Sequence, residues 1–213
     1  MSAAAIVRNS PAHWVDICSL DEIAPDTGVC ALLDGRAVET TLGFSALDGL
    51  CMGTRCGSVD PGAVLHLVKE RSLSASEVET ILYRRSGLLG ISGLSADLRV
   101  LLESDAPRAR LAVEYFLHRA TKEIGALVAV LGGLDTLVFT AGIGENSAPI
   151  RRMLCARLRW LGVELDEKAN AQGERRISSG CSRVAVRVIP SDEEGVIARH
   201  TAKLIADSTA RTP

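Results

Sequence analysis

The junction between Thr136-Leu137-Val138-Phe139-Thr140 and Ala141-Gly142-Ile143-Gly144-Glu145-Asn146 carries the strongest local chemistry in the chain. The first five residues read as a buried strand. The two glycines let a ligand approach the backbone closely. Asn146 or Ser147 caps a following helix, with Pro149 in its first turn. Free N–H groups and the positive end of the helix dipole suit a nucleotide or another anion there. The same residues also make a tight strand-to-helix turn that holds nothing, and a lone G-x-G does not separate the two readings. A dinucleotide fold asks for a third small residue and an acid about 20 residues on. Ser147 and Asp166 fill those places only by force. The phosphate-loop lysine motif is absent.

Other residues invite chemistry singly. Arg55 sits in a loop punctuated by Gly43, Gly49, Gly53 and Gly57, where it is either a surface arginine or a phosphate ligand. Asp97 precedes a helical run and suits an N-cap. Glu193 and Glu194 open a terminal helix, where first-turn acids complement the dipole. Six cysteines (18, 30, 51, 56, 155, 181) form no C-x-x-C pair and lack zinc spacing, so they read as small buried hydrophobes of a reducing compartment. The four histidines are dispersed and read as structural or surface residues.

These residues need a scaffold, and the composition provides for one. The 213 residues are 47% hydrophobic and 23% charged, enough for a packed core and incompatible with disorder. No run of about 18 apolar residues occurs, so no membrane span is expected. The start, Met1 to Val7, lacks a basic signal region, which predicts a cytoplasmic protein. Net charge is −2 and aromatics are 3%, which argues against a nucleic-acid surface.

Residues 1–27 read as irregular, apart from a possible strand at Trp14–Cys18. Val29–Leu33, Asp34-Gly35 and Ala37–Thr41 predict a hairpin. Asp60-Pro61 starts one helix, and the capping box Ser74-x-x-Glu77 starts another. Ser86–Gly90 reads as a break. Between Pro107 and Leu131, residues 109, 112, 113, 116, 117, 120, 124, 127, 128 and 131 share one helical face. Residues 141–146 read as a loop, the next helix as reaching about Leu161, and Val184–Ile189 as a strand. Strands alternating with helices make the chain α/β.

Five segments then occur in order: ETTLGFSALDGLCMGTRCGSVDPG (39–62), RRSGLLGISGLSADLR (84–99), VFTAGIGENSAPIR (138–151), LRWLGVELD (158–166) and VIPSDEEGVIARHT (188–201). Together they closely resemble the C-terminal half of the acetate kinases and related short-chain carboxylate kinases, over about residues 28–206. The resemblance implies a ribonuclease H-like, actin-type ATPase domain with a mixed sheet and flanking helices. It implies transfer of the ATP γ-phosphoryl to a small carboxylate, acetate or propionate, with Mg2+, and a homodimer joined through this domain. Arg55 matches the arginine that meets the phosphoryl group. Asp97, Leu98 and Arg99 match the segment beside the adenosine. Gly142, Ile143, Gly144, Glu145 and Asn146 match the adenine and ribose loop. Glu193 matches the magnesium carboxylate.

The resemblance divides the chain into a divergent lead (1–27), a nucleotide-binding domain (28–190) and a terminal helix (191–213). In the family that helix packs on an N-terminal domain which also brings the catalytic aspartate and the substrate pocket. No counterpart of that domain is seen in these 213 residues, so a truncated chain of low or no turnover is expected. Where the family has a phosphate-cradling hairpin, residues 21–28 carry Asp21, Glu22, Asp26 and Pro25, which should repel polyphosphate. The apolar side of the terminal helix (196, 197, 204, 205) is expected to lack its host. The alternatives are an inactive nucleotide-binding or dimerisation module and, more remotely, a dinucleotide binder.

Overall fold

An amphipathic helix of 25 residues has to cover an apolar surface, and a five-stranded sheet supplies it. The computed structural model describes residues 3–8, 28–34, 36–191, 195, 198, 201 and 202. The strands are β1 (Ala3–Arg8), β2 (Gly28–Leu33), β3 (Arg36–Thr40), β4 (Thr136–Thr140) and β5 (Ala185–Val188). Their order across the sheet is β3-β2-β1-β4-β5. β1 is parallel to β2 and antiparallel to β4; β2 is antiparallel to β3; β4 and β5 are parallel. The sheet is therefore mixed, and the α/β expectation holds.

β2 and β3 form the anticipated hairpin. Leu33 pairs with Arg36, and Asp34 takes the positive φ of 48° that a two-residue turn requires. All five residues of β3 are exposed, as suits an edge strand, whereas all five of β4 are buried. β1 was not anticipated: its place lies in the stretch read as irregular. Six residues of small and mixed character give no period-2 signal, and the partners that select them are far away in sequence. The possible strand at 14–18 and the acidic segment 21–27 lie outside the described residues.

Eight helices occur among the described residues: α1 (Pro61–Lys69), α2 (Ala75–Arg84), α3 (Gly87–Ser92), α4 (Leu98–Glu103), α5 (Pro107–Leu131), α6 (Ala141–Asn146), α7 (Ala148–Arg157) and α8 (Glu167–Gln172). The caps predicted at Asp60 and Ser74 form: Asp60 accepts from the Gly62 N–H at 2.6 Å, and Ser74 and Glu77 close their reciprocal box. The cap expected from Asn146 or Ser147 does not: Ser147 precedes α7 without a side-chain cap bond, and the Asn146 amide donates back to Gly142 O. The ten residues assigned to one face of α5 are all buried. α5 crosses β1, β2 and β3, with α3, α4 and α7 beside it. One continuous core joins Ala31, Leu117, Ile124, Leu137, Phe139, Leu158 and Val186.

Two readings are corrected. Residues 87–92 and 141–146 are single-turn helices and not a break and a loop. Their glycines lower helix propensity, and tertiary contacts outweigh it. α7 also stops at Arg157, four residues early, and a separate 3-10 turn covers Arg159–Leu161 before Gly162 takes φ 89°. Of the terminal segment, Gly195, Ala198, Thr201 and Ala202 are helical; Glu193 and the apolar positions 196, 197, 204 and 205 lie outside the described residues.

The register lines up strand ends. Ala3 pairs with both Gly28 and Thr140, Cys30 pairs with Thr40, and Phe139 pairs with Val188. The C-terminal ends of β3, β4 and β5 therefore share one edge of the sheet. In open α/β sheets this is the edge where ligands bind.

Gly125 lies inside α5, and a Cβ built on it meets nothing within 4 Å. Gly125→Ala is expected to stabilise the chain by about 0.5–1 kcal/mol through helix propensity. A rise in the urea midpoint at unchanged m-value is the measurement.

Candidate functional site

The chain leaving β3 runs to Arg55 through a segment held by backbone hydrogen bonds to α2 and α3. The Leu88 N–H donates to Met52 O at 2.9 Å, Leu89 to Gly53 O at 2.9 Å, Ser86 to Thr54 O at 3.0 Å, and Cys56 to Leu82 O at 3.0 Å. The Thr54 hydroxyl donates to Tyr83 O at 2.9 Å. Gly87 makes this approach possible. Its φ is +63°, and a Cβ there would sit 2.2 Å from Met52 O and 2.7 Å from Arg55 O. Gly53 similarly lies against Ala96, with 3.0 Å from its virtual Cβ to Ala96 O. The Arg55 loop and the Asp97 turn are thus neighbours.

Arg55 itself is half-buried, and its guanidinium makes one long hydrogen bond, 3.4 Å to Ala46 O, among the described residues. It lines a cleft of about 400 Å3 with Thr54, Glu79, Thr80, Tyr83 and Arg84. A guanidinium held on a rigid backbone with donors to spare can meet phosphoryl oxygens.

Asp97 is the N-cap of α4: its Oδ1 accepts from the Arg99 N–H at 2.9 Å. Arg99 also grips the carboxylate through Nε (3.1 Å) and a second guanidinium nitrogen (2.6 Å). These Arg99 bonds hold the Asp97 carboxyl below the usual range. The capping reading of Asp97 is therefore correct, whatever else it does. Leu98 is buried in the core.

β4 delivers α6. Ala141, at the joint, takes φ +55°, a conformation costing a non-glycine residue of order 1–3 kcal/mol. Gly142 and Asn146 are exposed, Ile143 packs against the core, and Gly144 is buried. Asn146 Nδ2 donates back to Gly142 O at 2.8 Å. The Glu145 carboxylate accepts from the backbone N–H of Ser191 (2.8 Å) and from its hydroxyl (3.1 Å). α6 is thereby joined to the segment that follows β5, two residues before Glu193. The Thr140 hydroxyl, buried at the end of β4, has no hydrogen-bond partner among the described residues.

Arg151 was quoted within the third segment and given no role. Its side chain is the largest fully buried one among the described residues. Nε donates to Asn170 Oδ1 (2.8 Å), one terminal nitrogen to Gly144 O (2.9 Å) and Glu145 O (2.7 Å), and the other to Asn170 O (2.8 Å). Burial pulls the guanidinium pKa down. An arginine on the face of a helix that sequence pattern marks as apolar was the available signal. Asp166, weighed as a ribose acid, instead caps α8 through Lys168 N and Ala169 N.

Among the described residues no group of three His, Cys, Asp or Glu could hold a metal. Burial pushes the Cys51 thiol up to about 11 and Cys155 to about 12, so both stay protonated packing groups. Cys181 departs from the expectation of burial: it is exposed and donates to the Glu164 carboxylate at 3.0 Å. No helix among the described residues is long and apolar enough to cross a membrane.

Known proteins share this pattern. A model of the acetokinase family matches residues 17–199. An acetate kinase of Rhodopseudomonas palustris (strain TIE-1) is 54% identical over 178 residues, which is 83% of this chain and 45% of that protein. The crystal structure of Porphyromonas gingivalis acetate kinase superposes with a TM-score of 0.77 at 34% identity, covering 96% of this chain and 49% of the other. A propionate kinase from Francisella tularensis superposes with a TM-score of 0.75 at 38% identity, covering 80% of this chain and 44% of the other. The chain spans about half the length of the curated relatives it matches. The fold is that of these actin-like ATPases.

Gly87→Ala adds a Cβ to a left-handed residue beside three carbonyls. It is expected to destabilise the chain by about 1–3 kcal/mol or more, opposite in sign to Gly125→Ala. Equilibrium urea denaturation of the two variants side by side measures the contrast.

Proposed function

The chain belongs to the acetokinase family, and we propose that it forms the nucleotide-binding half of an acetate-kinase-type phosphotransferase. The reaction is ATP + acetate to ADP + acetyl phosphate, running in either direction, with propionate as the other candidate acceptor. The observation that supports this best is the shared edge of the sheet. Three strand ends there lead to the Arg55 loop, to α6 and to Ser191. Phosphoryl transfer asks for positioning and charge neutralisation more than covalent help.

In this reading Gly142 and Asn146 offer backbone and amide to adenine and ribose, with Ile143 and Gly144 setting the floor. Asp97 and Arg99, locked as a pair, border the adenosine. Arg55 reaches the γ-phosphoryl as it crosses to the carboxylate oxygen, its planar donors matching the equatorial oxygens. Glu145 holds Ser191, just beyond the end of β5, on the same edge. Magnesium that arrives on a nucleotide takes one or two protein carboxylates, and Glu193 is the residue proposed for it. The rest of the constellation, the catalytic acid and the acceptor pocket, is proposed to come from the length of the relatives that this chain does not span. A homodimer and a cytoplasmic setting belong to the same proposal.

The purified 213-residue chain is expected to bind ADP saturably in calorimetry. With ATP, Mg2+, acetate and hydroxylamine trapping, it should form little acyl phosphate. Adding the complementary half of a relative as a second polypeptide should raise turnover. Arg55→Ala should then cut turnover by about 10³-fold or more while leaving ADP affinity nearly unchanged. A folded chain that does not bind ADP overturns the nucleotide reading. Binding without turnover in the reconstituted mixture leaves a nucleotide-binding module.

A further inference from the structure

α6 is a six-residue helix with no side-chain cap at its N-terminus, and the residue that follows it caps nothing with its side chain. Such an element leaves its last carbonyls without intrahelical partners. Ile143 O is satisfied by the Ser147 N–H at 3.0 Å. Gly144 O and Glu145 O, one residue further on, are both taken by a single guanidinium nitrogen of Arg151. The opposite side of the same fork is fixed on Asn170, at both its side-chain oxygen and its backbone carbonyl. Asn170 in turn donates to Ala148 O at 3.1 Å, at the start of α7.

We infer that Arg151 is a positioning residue for α6: it fixes the backbone of Gly144 and Glu145, and thereby the surface that Gly142 and Asn146 present to a nucleotide. The inference rests on the nucleotide reading for its ligand, and on the hydrogen bonds alone for the clamp.

Three features favour positioning over simple cohesion between helices. Burying an arginine without a counter-ion is costly. Among the described ion pairs no carboxylate partners Arg151. An apolar side chain would join α7 and α8 at lower cost. What it could not do is satisfy two adjacent carbonyls of α6. Lysine would keep the charge, but it lacks the planar fork that reaches both groups at once. Finally, the clamp seizes Gly144, two residues after exposed Gly142, and Glu145, the residue that makes the link to Ser191. A shift of this backbone moves both rims together.

The test uses the full chain with Arg151→Lys, Arg151→Met and Asn170→Ala, beside Ile124→Val, a core change in α5. Folding is checked by circular dichroism. Amide exchange over residues 142–147 and ADP affinity by calorimetry are the readouts. Asn170→Ala keeps the arginine and removes its Oδ1 seat together with the bond to Ala148 O, so it remains informative if an Arg151 variant does not fold. The expected result is exchange accelerated about tenfold in 142–147 relative to the rest of the chain, with ADP affinity falling about tenfold, in Arg151→Lys and at least as much in Arg151→Met. Asn170→Ala should move both readouts in the same direction by less. Ile124→Val should lower the unfolding midpoint and move neither. Unchanged exchange in folded Arg151→Lys and Asn170→Ala overturns the clamp. Accelerated exchange with ADP affinity intact overturns its link to the ligand. If the parent chain binds no ADP, the nucleotide reading fails, and the exchange data still decide whether Arg151 holds α6.

Discussion

The pairing register of the sheet is the constraint on which the site depends. Thr140 lies opposite Ala3, Phe139 opposite Val188, and Thr40 opposite Cys30. A slip of one residue would turn every side chain of β4 to the other face, and all five of its residues are buried. The core thus fixes the register, and the register fixes where β3, β4 and β5 end. Leu137, Phe139, Val186 and Val188 do this as members of the same buried core as the apolar face of α5. Chemistry at the edge inherits its geometry from apolar burial some distance away.

Beyond the strand ends, apolar packing no longer suffices, because the connecting segments are short and rich in glycine. Backbone and polar side chains take over the positioning. The Arg55 loop is tied by main-chain bonds to α2 and α3, with Gly87 allowing the two backbones to meet. α6 is tied by Arg151 from beneath and by Glu145 to Ser191 from the side. Hydrogen bonds to a charged group contribute about 1.5–3 kcal/mol each, and leaving one partner unsatisfied in the interior costs a similar amount. A buried arginine with four such bonds is therefore favourable only as a complete set. That all-or-none character is what a rigid ligand edge needs.

The sequence was most legible where a single physical signal ruled. Periodicity marked all ten buried positions of α5, and cap chemistry marked Asp60, Ser74 and Glu77. Asp34 was readable because a two-residue hairpin demands positive φ. Legibility failed where partners distant in sequence decide. β1 is a strand because β2 and β4 flank it, and six residues of its kind carry no period. α3 and α6 are helical against the propensity of their glycines, since α3 donates to the carbonyls of Met52 and Gly53 and α6 accepts from Arg151. The candidate site divides the same way. Its motif residues could be recognised by order and spacing, whereas the residue that anchors α6 was hidden among ordinary helix positions.

The same distinction bears on which parts of the proposed site this chain's own packing holds. Everything that shapes α6 and the Arg55 loop is found within the described residues: the sheet, α5, Gly87, Arg151 and Asn170. None of it asks for atoms from elsewhere. In the proposed reading, nucleotide recognition built on those elements is a local property of this fold. Phosphoryl transfer is not, since an acceptor carboxylate must be held in line with the leaving group, about 3–3.5 Å from the phosphorus, by groups on its far side. The wall of the Arg55 cleft is formed by Thr54, Glu79, Thr80, Tyr83 and Arg84. Glu79 brings negative charge to that wall, which disfavours a second carboxylate there. Under the proposed function, binding and catalysis thus separate along a physical line: the first would follow from this chain's own packing, and the second from a surface facing it.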